Sequence, residues 1–154
     1  MLNDRGRSLL TVAGAASAVL AVLHLAVIVA GPPGYRYFGA PDECSSLTEA
    51  GSRAPAVLTA AFAVIFGIWA IYGFGGARRI RRPPLVRLGL VLISAVYLLR
   101  GLSAVPEALL LMRDPAAFPP RFVVFSLISL AIGVCYALGT RQAWRRLRHH
   151  DPPW

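Results

Sequence analysis

The sequence has no lysine. All 16 of its basic side chains are arginine, set against 7 acids, for a net charge of +9. Together with the alanine richness, this reads as the codon usage of a GC-rich bacterial genome rather than as a mechanism. Cysteine is nearly absent: there are two, with no C-x-x-C, so neither a cysteine-based metal site nor a redox dithiol is on offer. No cofactor and no catalytic residue suggests itself. Long polar stretches are also missing. Charged residues make up 15% and apolar residues 56%, with a mean hydropathy of +0.60. That is too apolar for an ordinary soluble domain. A strongly basic chain often means nucleic acid, but here the arginines gather just beyond the ends of apolar runs, where membrane proteins keep their cationic flanks. A nucleic-acid partner is excluded on that ground.

What is present is four apolar runs. The first span covers about residues 9–30, long enough at 1.5 Å per residue to cross roughly 30 Å of hydrocarbon. It is too long for the apolar core of a cleaved signal peptide and reads as an uncleaved span. Gly31-Pro32-Pro33-Gly34 should stop it. Residues 31–54 form the longest loop. Within it, Pro41-Asp42-Glu43 predicts a short helix over about 41–50, with proline first and acids in the first turn. Tyr35, Tyr37 and Phe38 suit a membrane interface. The second span is about 55–74 and ends at Gly75-Gly76, followed by the basic turn ARRIRRPP. The third begins at Leu85 and runs to about Pro106, or as far as Met112, with Pro106 as the expected kink. The fourth is about 121–139, and a basic tail occupies 140–154.

These spans predict an all-α, four-transmembrane-helix bundle in one membrane domain, with neighbours antiparallel. Arginine sets the expected orientation. Arg5 and Arg7, then Arg78, Arg79, Arg81, Arg82 and Arg87, then Arg141, Arg145, Arg146 and Arg148 lie on the side of the termini. Only Arg36, Arg53, Arg113 and Arg121 flank the other side. Both termini are therefore expected in the cytoplasm of a bacterial inner membrane.

The remaining arginine, Arg100, lies inside the third span, and Glu107 follows one heptad later. Ionisable groups in hydrocarbon are costly and mark candidate sites. Arg100 stands roughly 22 Å along the helix from Leu85, and His24 at a similar height above Leu9. Tyr97, Arg100, Ala104 and Glu107 share one stripe. If that stripe faces His24, the outer leaflet holds a polar pocket of His24, Tyr97, Arg100 and Glu107. Tyr35, Arg36, Asp42, Glu43 and Glu49 are outer-loop candidates above it. A structural tie between Arg100 and Glu107, or a snorkelling Arg100, is the simplest reading. Binding of a polar or anionic headgroup is second, and proton or electron chemistry third. His24 alone is weak ground for a metal, since His149 and His150 fall in the basic tail. No metal site is expected. Small residues at Gly14/Ala18, at Ala63/Gly67 and along Ser126, Ser129, Gly133 and Ala137 suit close helix packing. Cys44 and Cys135 are separated by roughly 20 Å of span and are expected to be unpaired.

The string GYRYFGAPDECSSLTEAGSRAP, with LLRGL in the third span, resembles a set of uncharacterised small four-span bacterial inner-membrane proteins that share a Y-R-Y-F-G-A loop motif. The resemblance covers most of the chain and implies the four-span layout. It brings no activity, ligand or catalytic residue. Three functional classes then stand in order. The first is a non-enzymatic membrane protein that binds a lipid or small amphiphile, or is an accessory subunit of a larger complex. The second is a transporter or channel built as a homo-oligomer. The third is an integral enzyme acting on lipid, ranked last because the chain has no recognisable nucleophile–base pair.

Overall fold

The computed structural model describes residues 4–144 and Leu147. It is all-helical, with no strand among the described residues. The order is α1 (Asp4–Ala30), α2 (Pro32–Phe38), α3 (Asp42–Glu49), α4 (Ala54–Gly76), α5 (Val86–Leu102), α6 (Ala104–Arg113) and α7 (Arg121–Ala143). Four helices are long and apolar enough to cross a membrane, counting Val86–Arg113 as one, with mean hydropathy between 2.0 and 2.4. At most 33% of the apolar stretch of any span is buried. Val29 is 89% exposed, Leu99 68%, Val64 62% and Met112 80%. A soluble monomer does not present apolar surface on this scale to water; lipid is the solvent such helices fit.

The spans run beyond their expected limits. α1 is already helical at Asp4, ahead of Leu9, and Asp4 lies in its first described turn, where the helix dipole favours an acid. α7 continues to Ala143, into the expected tail; Arg145, Arg146 and residues 148–154, His149 and His150 included, lie outside the described residues. The stop at Gly31-Pro32-Pro33-Gly34 is also a start. Gly31, at φ 64, ends α1, and the prolines then take the first positions of α2, where a missing N–H costs nothing. Gly39 closes α2 in the left-handed conformation, its N–H donating to the Tyr35 carbonyl. The helix expected over 41–50 forms as α3. The third span breaks at Ser103, between α5 and α6, three residues ahead of Pro106. Proline has no N–H for the Leu102 carbonyl, so the ladder fails one turn back.

By their contacts the residues fall into two units. One is Ser17–Ile68; the other joins Met1–Ala16 with Trp69–Trp154. In the first, α2 and α3 pack together. Tyr35 is buried at 3% exposure, and Ser45 donates to the Pro32 carbonyl at 3.5 Å. Arg36 donates to Glu49 at 2.5 Å across the same pair.

In the second unit the helices approach on small residues. A Cβ on Gly73 would stand 2.7 Å from the Gly14 Cα, one on Gly101 2.5 Å from the Leu130 Cα, and one on Gly133 2.9 Å from the Leu98 nitrogen. Backbones this close gain van der Waals contact, the main attraction between helices in lipid. An aromatic layer fills the centre. Trp69 meets Tyr97 edge-on at 5.0 Å, Tyr97 stacks on Tyr136 at 5.8 Å, and the Tyr136 hydroxyl donates to the Trp69 carbonyl at 2.8 Å. The turn after α4 is held by Tyr72, which donates to the Pro84 carbonyl at 3.1 Å, and by Arg7, which donates to the Ala77 carbonyl at 3.4 Å. Arg87 lies over the Trp144 ring at 3.8 Å. These contacts gather the N-terminal arginines, the basic turn and the end of α7 at one end of the unit.

Candidate functional site

Arg100 is placed by the last turn of α5, and Glu107 by the first turn of α6. The break at Ser103 sits between them. Arg100 Nη1 donates to Glu107 Oε1 at 3.1 Å and to Ser103 Oγ at 2.5 Å. Ser126 Oγ, brought in from α7, is a third acceptor of the same nitrogen, so one of its two N–H groups is shared between two of the three. Ser126 in turn donates to Glu107 Oε2 at 2.5 Å, and is fully buried. Ser103 Oγ lies 3.1 Å from Glu107 Oε1 and 3.2 Å from Ser126 Oγ, and 2.6 Å from the Arg100 carbonyl. Its one hydroxyl proton serves one of these at a time. Four side chains thus form a closed network in which the acid's two oxygens both have donors.

The two charges are not equally sheltered. The Glu107 side chain is 16% exposed and that of Arg100 46%. All of the side-chain bonds that Arg100 makes among the described residues leave from Nη1. Its Nη2 and Nε carry three more N–H groups. The guanidinium is therefore anchored on one edge and open on the other. Ser126 lies five residues into α7, about 7.5 Å along the helix from Arg121.

Of the four residues expected to share a pocket, Arg100 and Glu107 are joined directly. Tyr97, one turn before Arg100, is only 3% exposed and belongs to the aromatic layer with Trp69 and Tyr136. His24 lies in the Ser17–Ile68 unit. Its Nδ1 is 2.7 Å from the Leu20 carbonyl, so that nitrogen carries the proton, and its ring stands 4.8 Å from Phe66 and 6.1 Å from Phe62. Among the outer-loop candidates, Arg36 and Glu49 pair with each other, and Asp42 and Glu43 occupy the first turn of α3. Tyr35 is buried, so its expected interfacial role is corrected; Tyr37 and Phe38 are exposed. Cys44 and Cys135 are both free. Among the described residues no group of three or more His, Cys, Asp or Glu could hold a metal ion.

Ser103 and Ser126 were missing from the expected site. Ser103 was within reach of the pattern, since Arg100, Ser103 and Glu107 follow the i, i+3, i+7 spacing of one helix face. Ser126 stood in the row of small residues on α7, but nothing in the pattern says which residue of α5 it meets. No protein-family model matches the chain, and no match was found among curated proteins or solved structures.

Proposed function

We propose that this chain is a multi-pass protein of a bacterial inner membrane, with both termini cytoplasmic, that binds the polar headgroup of a lipid or small amphiphile through Arg100 in the outer leaflet. The observation that carries the reading is the asymmetry of Arg100: one nitrogen is tied to Glu107, Ser103 and Ser126, while the rest of a half-exposed guanidinium has donors to spare. Glu107 offsets the charge, so the arginine can stand inside the hydrocarbon without a ligand. The preset orientation lowers the ordering cost when a headgroup oxygen arrives. In this reading the tie and the binding site are one construction: the buried side holds, the exposed side recognises. The inside orientation of the termini rests on the arginine count.

The test is native mass spectrometry of the protein released from mild detergent, wild type beside Arg100→Leu. A discrete bound mass on the wild type, lost in a variant that stays folded, supports the reading and gives the ligand's class. A bare wild type, or an Arg100→Leu variant that loses none of the wild type's bound masses, overturns it.

A further inference from the structure

Another face of α5 and α7, whose lining does not include Arg100, holds a second feature. A cavity of about 510 Å³ opens between α5 and α7, walled by Val91, Leu98 and Ala137 and bounded by Thr140, Arg141 and Trp144. Its size lies within the range of small-ligand pockets, roughly 300–1,000 Å³. Val91 is 43% exposed and Leu138, on the flank, 41%, so the mouth is bordered by surface that suits hydrocarbon. One end of this apolar slot is cationic. Arg141 is exposed, and its side chain has no partner among the described residues. Arg87 lies 3.8 Å over the Trp144 ring, and its Nε is buried with no hydrogen-bond partner. Thr140 is 4% exposed and its Oγ1 is likewise unpartnered. A buried donor left unmade costs about 1–3 kcal/mol, and a hydroxyl turns readily between staggered positions to meet an acceptor.

Apolar walls with unmatched donors at one end complement a molecule with a hydrocarbon tail and an anionic head. We infer that this cavity is a binding site for one anionic phospholipid, an acyl chain lying between α5 and α7 and the phosphate held by Arg141 and Arg87, with Trp144 at the headgroup level. Tryptophan favours that level of a membrane, and arginine binds phosphate by paired N–H donors. The site is independent of Arg100.

The experiment is native mass spectrometry of purified protein titrated with phosphatidylglycerol or phosphatidylcholine of the same chain length. The wild type should retain phosphatidylglycerol at least about tenfold better, a difference of about 1.4 kcal/mol. Arg141→Gln, at an exposed position, should bring retention down to the phosphatidylcholine level in a variant whose thermal unfolding matches the wild type. Arg141→Lys should recover part of it. Ala95→Phe, which fills the slot, should weaken both lipids. Arg100→Leu should leave the preference intact. Equal retention of the two lipids by the wild type overturns the inference. So does a preference that survives Arg141→Gln, or one that disappears with Arg100→Leu instead.

Discussion

At the scale of single residues, Glu107 determines whether Arg100 is tolerable where it stands. Glu107→Gln keeps the shape and one accepting oxygen but removes the counter-charge, and its NH2 can meet Ser126 only as a donor, so that bond must reverse. Breaking a fully buried pair costs about 3–5 kcal/mol. Arg100 is 46% exposed and can relax outward, so about 1–2 kcal/mol is expected, read as a lowered midpoint of thermal unfolding in detergent. In a double-mutant cycle, Arg100→Leu should cost much less once Glu107 is already Gln; strictly additive losses would show the pair to be uncoupled. Ser126→Ala removes a bridge and should cost about 1 kcal/mol in the same assay. The pair itself was legible in the sequence, since two opposite charges one heptad apart in an apolar run can hardly avoid each other. Ser126 was not, because its meeting with Arg100 depends on how α7 slides against α5. That register is set by Gly101 on Leu130 and Gly133 on Leu98; the small-residue row marks Gly133 as a packing position but does not say which residue of α5 it meets.

At the scale of elements, glycines with different neighbours should behave in opposite ways. Gly101→Ala puts a Cβ 2.5 Å from the Leu130 Cα, and since backbone must shift, about 1–3 kcal/mol of overpacking is expected. Gly67→Ala, in the middle of α4, meets nothing within 4 Å and should be neutral or stabilising by up to about 1 kcal/mol. Thermal unfolding of the two variants side by side separates them; equal losses would mean that α5 and α7 are not held by close approach. Pro106→Ala restores a donor for the Leu102 carbonyl. A protected amide at position 106 in hydrogen exchange, with α5 and α6 continuous, is the expected outcome. Spans of high hydropathy are easy to read because length and apolarity are summed over many residues. Short elements at their ends are not. Gly31 to Gly34 spells a stop for α1, and only the fold shows that the same prolines begin α2. Likewise, Pro106 identified the kink but not its place, since the carbonyl that proline abandons belongs to the previous turn.

At the scale of the whole molecule, the proposed orientation rests on where the arginines gather. Cys44, in α3, supplies a native probe. If the termini are cytoplasmic, a membrane-impermeant maleimide added to intact cells should label Cys44, and Cys44→Ser should abolish the signal. Labelling only after permeabilisation would invert the topology. α7 has a wider part in the fold than its position in the chain suggests. Gly139 lies against Leu10 of α1, Tyr136 bonds the Trp69 carbonyl of α4, Gly133 meets Leu98 of α5, and Ser126 completes the Arg100 network. The ribosome delivers this helix after the other three. Until it arrives, Arg100 and Glu107 are in the bilayer without their bridging hydroxyl, and Tyr97 lacks its stacking partner. Maturation therefore waits on the final insertion event, and the unfinished chain displays a poorly satisfied charge pair for as long as synthesis is stalled. That makes the half-made protein chemically distinct from the finished one.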